Sequence, residues 1–171
     1  MENACIHIYY GDGKGKTSAA LGLALRACGA QQKAVFCQFL KNGGSSEVSA
    51  LQTLGVKTFA MPTETFVFQM TEPEKQAYFI SQKTLLQQVL SYAETHVVDV
   101  VVFDELLDAI ALSIFSEAEI ISILQRFSSI EFILTGREAF SLKEYAAYIT
   151  HMQAEKHPFS SGLPARKGIE F

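Results

Sequence analysis

The chain has 171 residues, 49% apolar and 19% charged, which suits one folded domain over residues 1–171 burying roughly two-thirds of its unfolded surface and excludes a disordered chain. A formal charge of −4 gives no general attraction for phosphate backbones or anionic lipid, so neither nucleic acid nor a membrane is an expected partner. No run approaches the ~20 apolar residues that span a bilayer and Cys5, Cys28 and Cys37 form no C-x-x-C pair, so the chain reads as cytoplasmic, with buried thiols in place of disulfides or zinc.

Ala4 to Tyr10 is rich in β-branched and aromatic residues and predicts a first strand. It runs into a glycine-rich loop, then into a helical pattern from Lys16 to Ala27 closed by Gly29. A second strand is expected over Lys33 to Leu40, a helix over Ser46 to Leu54 ended by Gly55, and a third strand over Val56 to Ala60. Thr71 and Glu74 form a capping box ahead of a long helix from about Pro73 to Thr95. Val97 to Phe103 predicts a fourth strand, Ser116 with Glu119 a second capping box, and Glu131 to Leu134 and Tyr148 to Gln153 the last two strands. From Lys156 to Phe171 neither period holds, so an ordered surface loop and a frayed end are both open.

Several of these strands are apolar on both faces, as strands buried in a parallel sheet are. Strands alternating with helices predict an α/β three-layer sandwich with a mostly parallel central sheet, and ligands bind beyond the carboxyl ends of such strands.

The strongest chemical signal is Gly11-Asp12-Gly13-Lys14-Gly15-Lys16-Thr17 between the first strand and the helix that continues with Ser18. Glycines let successive backbone N–H groups curl around phosphate oxygens, and the helix N-terminus adds partial positive charge. Lys16 is placed to reach the terminal phosphates and Thr17 to offer a hydroxyl to Mg²⁺. The pattern is a variant, because Tyr10 stands where the usual first glycine would be. The expected fold is therefore P-loop NTPase-like, holding the triphosphate of ATP.

Asp104 and Glu105 end the fourth strand, where a carboxylate orients Mg²⁺ or its water. The same acids would also favour the start of a following helix, with which negative charge interacts well. Asp104 is the metal-side candidate beside Thr17; Lys16, Thr17 and Glu105 are the candidate catalytic residues. A third strand end, Thr135-Gly136-Arg137, would aim a guanidinium at the same crevice.

Together, Gly-Asp-Gly-Lys-Gly-Lys-Thr, Val-Phe-Asp-Glu at 102 to 105, Thr-Gly-Arg at 135 to 137 and the ending from Lys156 through Arg166 to Phe171 resemble the P-loop type of ATP:corrinoid, or cob(I)alamin, adenosyltransferase. Further similarities are Gln38-Phe39-Leu40-Lys41, Glu47, and the aromatics Phe66 and Phe68. The resemblance implies transfer of the 5′-deoxyadenosyl group of ATP to the cobalt of a reduced corrinoid, with release of triphosphate. It implies Mg²⁺, or Mn²⁺ in its place, a reductase that supplies Co(I), and a homodimer. Lys41, Glu47 and Arg166 would join the substrate-binding set, with the tail over or near the site. Phe66 and Phe68 would line the corrin pocket and help keep the lower axial position of cobalt free, or else be two core aromatics; strict alternation would put both rings on one face of an extended segment. Two departures stand out: many members have a longer segment before the first strand, and the second aromatic is often Trp.

The residues up to Arg137 also suit a P-loop nucleoside or small-molecule kinase, which would release ADP. A motor or switch ATPase acting on nucleic acid calls for a basic face, which the charge balance opposes.

Overall fold

The computed structural model describes residues 4–41, 44–61, 67–158 and 162–170. In chain order it runs β1 (Ile6–Tyr10), α1 (Lys16–Gly29), β2 (Ala34–Gln38), α2 (Ser46–Thr53), β3 (Lys57–Ala60), a 3₁₀ turn (Val67–Gln69), α3 (Glu72–Thr95), β4 (Val100–Asp104), α4 (Leu106–Ala111), α5 (Glu117–Arg126), β5 (Glu131–Gly136), a second 3₁₀ segment (Phe140–Tyr145) and β6 (Tyr148–His151). The strands form one six-stranded sheet in the order β3-β2-β4-β5-β1-β6. Every neighbouring pair is parallel.

Side-chain alternation along these strands builds two cores. Val35 and Cys37, Val101 and Phe103, and Phe132 and Leu134 point to one face, where Leu85, Leu86 and Val89 of α3, Leu106 and Leu107 of α4, and Ile120 and Leu124 of α5 cover them. Phe36, Val100, Val102 and Ile133 point to the other, against α1 and α2. The buried stripe of α1 is Ala20, Ala24 and Ala27, small side chains at helical spacing that let its backbone approach the sheet closely. This is the α/β sandwich that the alternation of elements predicts, with a fully parallel sheet, and it is consistent with the P-loop NTPase-like fold expected from the glycine loop. Among the described residues no helix is long and apolar enough to cross a membrane.

Register decides what lies together at the carboxyl edge. Gln38 pairs with Asp104 across β2 and β4, Phe103 with Leu134 across β4 and β5, and Tyr10 with both Gly136 and His151. The carboxyl ends of the strands therefore lie along one edge of the sheet.

Some boundaries differ from the sequence expectation for identifiable reasons. Asp99 spends its carboxylate on the Lys33 N–H at 2.8 Å, so β4 begins at Val100, and Val97 is exposed. The chain leaves β6 at His151 because the Met152 carbonyl turns to accept the Gly13 N–H at 2.8 Å. The capping box closes both ways at Thr71 and Glu74, while at Ser116 the serine half is formed, accepting the Glu119 N–H at 3.2 Å. Val67–Gln69 is a 3₁₀ turn, not the extended segment that alternation implies. Phe68 stands 80% exposed, so it is not a core aromatic, and Phe66 lies outside the described residues.

Candidate active site

The glycine loop leaves β1 with Gly11 at φ 119 and enters α1 through Gly15 at φ 117, backbone that residues with a Cβ rarely adopt. Space is as restrictive as torsion. A Cβ on Gly11 would stand 2.3 Å from the Met152 carbonyl oxygen, and one on Gly13 would stand 2.8 Å from it. The Gly11 N–H donates to the carbonyls of Gly136 and Arg137 at 3.2 and 3.1 Å, which anchors the loop to the end of β5. The Lys16 ammonium donates to the Gly13 carbonyl at 2.8 Å and so folds over its own loop. Ser18 is exposed in the first turn of α1.

Asp104 is the centre of the crevice. Its side chain is wholly buried and accepts from four donors: Thr17 Oγ1 at 2.9 Å and Thr135 Oγ1 at 2.7 Å on Oδ1, with Gln38 Nε2 and Lys41 Nζ at 3.2 Å each on Oδ2. Burying a carboxylate is costly unless its oxygens are paired in this way. The Thr17 contact joins the glycine loop to the end of β4 across 87 residues of sequence.

Glu105 follows in left-handed backbone at φ 62, where a non-glycine residue carries strain of order 1–3 kcal/mol. Its N–H donates to Thr135 Oγ1 at 2.9 Å, and it is the N-cap of α4. The two readings of this acidic pair thus divide between its members: Glu105 opens a helix and Asp104 faces the loop. Burial pushes the Glu105 carboxyl up to about 7, against the opposing pull of Lys41, with Asp104 and Asp108 adding to the rise. Lys41 lies 3.5 Å from Glu105. Burial alone would lower the Lys41 pKa, but the carboxylates of Asp104, Glu105 and Glu47 together raise it, so its ammonium stays charged. Glu47, in the first turn of α2, accepts from Gln38 Nε2 at 3.2 Å.

Other expected residues stand at the rim. Arg137 is largely exposed, its Nε 3.9 Å from Asp108. Asp12 accepts the Ala154 N–H at 3.3 Å. The described part of the tail returns to the loop: Glu170 accepts from Lys14 at 2.8 Å and from Arg166 at 3.0 Å, and these donors hold its carboxyl well below the usual carboxylate range. A cavity of about 450 Å³ lined by Cys28, Lys33, Lys57 and Tyr92 shares no residue with this cluster.

The structure therefore brings Thr17, Lys41, Glu47, Asp104 and Glu105 into one network, and leaves Phe68 and the Arg137 side chain outside it. Gln38 and Thr135, quoted in the sequence only as neighbours of other residues, are two of the four donors to Asp104. What identifies them is register, since each sits beside Asp104 on an adjacent strand. The donor set at the crevice, a hydroxyl and a carboxylate, is one of hard oxygens and fits Mg²⁺, which takes one or two carboxylates and completes its shell from phosphates and water.

Comparison with known proteins agrees with this geometry. Residues 2–171 match the family model described as ATP:corrinoid adenosyltransferase BtuR/CobO/CobP. The chain is 30% identical over 173 residues to the corrinoid adenosyltransferase CobA of Salmonella typhimurium, and 28% identical over 173 residues to the corrinoid adenosyltransferase of Escherichia coli K12; each alignment covers 99% of this chain and 87% of the relative. It is 26% identical to the corrinoid adenosyltransferase of Pseudomonas aeruginosa over 172 residues, covering 99% and 85%.

Proposed function

The chain belongs to the ATP:corrinoid adenosyltransferase family, and from that premise we propose how its own residues perform the transfer. The 5′-deoxyadenosyl group of ATP passes to the cobalt of a reduced corrinoid. The Co(I) electron pair forms the cobalt–carbon bond, the C5′–O bond breaks, and that pair leaves on triphosphate. The nucleophile is the metal of the substrate, so no protein base is needed. What the protein supplies is position and charge.

The loop from Gly11 to Thr17, with Ser18 at the helix start, cradles the triphosphate through its N–H groups. Lys16 exchanges the Gly13 carbonyl for phosphate oxygen as negative charge gathers on the leaving group. Thr17 and Asp104 would hold Mg²⁺, or Mn²⁺, which would supply positive charge to the triphosphate. Lys41 balances the buried carboxylates of Asp104 and Glu105, and Glu105 orients water at the metal side. Glu47 holds Gln38 in place from α2. Lys14, Arg137 and Arg166 reach outer phosphate oxygens, and the described part of the tail serves the loop, a role that the Glu170–Lys14 ion pair supports. The observation that carries this reading is the Thr17–Asp104 hydrogen bond, because it joins loop and acid in the place where a metal-bound triphosphate would sit.

Phe66 and Phe68 contribute to the corrin pocket and help keep the lower axial position of cobalt free. The exposure of Phe68 supports this, since a large aromatic ring in water gains by stacking on a ligand. The protein works as one cytoplasmic domain and as a homodimer, with a reductase supplying Co(I). Turnover followed by corrinoid absorbance under anaerobic conditions should require ATP. In that assay Phe68→Ala should raise KM for cob(I)alamin by about five- to tenfold, the scale of one lost aromatic contact, with KM for ATP within about twofold. An unchanged corrinoid KM would remove Phe68 from the pocket.

A further inference from the structure

Leu40, immediately before Lys41, holds left-handed backbone at φ 57. A leucine stays in that region only where its surroundings over-determine it. On one side the preceding residue is pinned to the sheet, the Phe39 N–H donating to the Asp104 carbonyl at 3.0 Å. On the other side the Leu40 N–H itself donates to Gln82 Oε1 at 3.1 Å. Gln82 belongs to α3, and its side chain is wholly buried.

A backbone N–H can only donate, so this bond fixes which end of the Gln82 amide faces Leu40. The other end, Nε2, is buried with no hydrogen-bond partner among the described residues. One turn earlier on the same helix the buried Tyr78 hydroxyl also has none among them. An unpaired buried donor opposes folding, and an apolar side chain of similar volume would avoid it. Glutamine at this position is therefore disfavoured by every local packing rule except one, the acceptor it gives to Leu40. Rules of this kind are broken where function requires it.

We propose that Gln82 is a positioning residue for the transfer reaction: by accepting the Leu40 N–H it fixes the left-handed turn that delivers the Lys41 ammonium to Asp104 and Glu105. This rests on the reading that Lys41 serves the acidic pair. Gln82 touches neither substrate nor metal. It acts through one backbone residue, and the leverage is large because Lys41 is the next residue along and its ammonium sits within 3.2 Å of Asp104 and 3.5 Å of Glu105.

The test is a double-mutant cycle in the full chain, read as kcat with thermal midpoints measured alongside. Gln82→Met keeps volume and removes the acceptor, and should lower kcat about tenfold, the scale of a displaced site group. Lys41→Ala should itself lower kcat about tenfold or more, and in that background Gln82→Met should change kcat by less than about twofold, since the group it positions is gone. Gln82→Glu retains an oxygen for Leu40 and should stay within about threefold of the parent. Full kcat in Gln82→Met, or the same fractional loss in both backgrounds, overturns the proposal; a loss confined to the Lys41 background upholds it. Should Gln82→Met fail to fold, Gln82→Leu takes its place in both backgrounds, and the same outcomes uphold or overturn the proposal. Parental kcat in Lys41→Ala alone would overturn the underlying reading of Lys41, a separate outcome from the failure of coupling.

Discussion

Lys16→Ala lowers kcat by on the order of 10²-fold or more while the protein remains folded, if charge on the departing triphosphate is the main part of the barrier. The fold should tolerate the change because the Lys16 ammonium donates to the carbonyl of Gly13 in its own loop and is no part of the buried network around Asp104. That tie is local and replaceable, so the ammonium is free to follow negative charge as it gathers. Attack at C5′ by Co(I) moves no proton, which leaves Lys16 no acid or base task. Loss of a lysine that bound ATP equally well before and during reaction would raise KM and leave kcat alone. Steady-state kinetics at saturating ATP and corrinoid separate the two, and parental kcat in Lys16→Ala would refute the role in the transition state.

Asp104→Asn should lower kcat by a similar order, about 10²-fold, and raise the Mg²⁺ concentration needed for half-maximal rate. The substitution is nearly isosteric, so its effect is electrical. An asparagine could still accept from Thr17 and Thr135, but its amide would face the Gln38 Nε2 and Lys41 Nζ donors that now meet Oδ2, setting donor against donor. Losing those acceptor contacts should destabilise the fold by about 1–3 kcal/mol, measurable as a lower midpoint of unfolding. If Asp104 were only a structural anion, the folded variant would keep its rate and its Mg²⁺ dependence, and stability alone would fall.

What could be read in advance was local. Gly11 to Thr17 is legible because its residue types have their tasks within one strand–loop–helix unit, and Asp104 because that loop favours the metal reading of an acidic pair that could otherwise simply open a helix. Gln38 and Thr135 were not, since their contacts with Asp104 span 66 and 31 residues and exist only through strand register. Helix α4 was signalled only by the acidic pair at its start, because its six residues are too few for a helical period to declare itself. The alternation in Phe66-Val67-Phe68 suggested an extended segment, yet three residues can satisfy a strand pattern and still form a 3₁₀ turn, as Val67–Gln69 does. Gln82 is harder still: within a long helix it reads as one more polar residue, and only the backbone of Leu40 gives it a purpose. The return of the tail to the loop through Glu170 and Lys14 spans 156 residues and was signalled only by the tail's Gly, Arg and Lys content and by family resemblance.

The most direct test of the account is the identity and amount of the phosphate product. Purified protein with Mg²⁺, ATP and chemically reduced cob(I)alamin, kept anaerobic, should form light-sensitive adenosylcobalamin and inorganic triphosphate in equal amounts. ADP or monophosphate in place of triphosphate, without a cobalt–carbon bond, would contradict the assignment of the loop to a departing triphosphate and return the site to phosphoryl transfer.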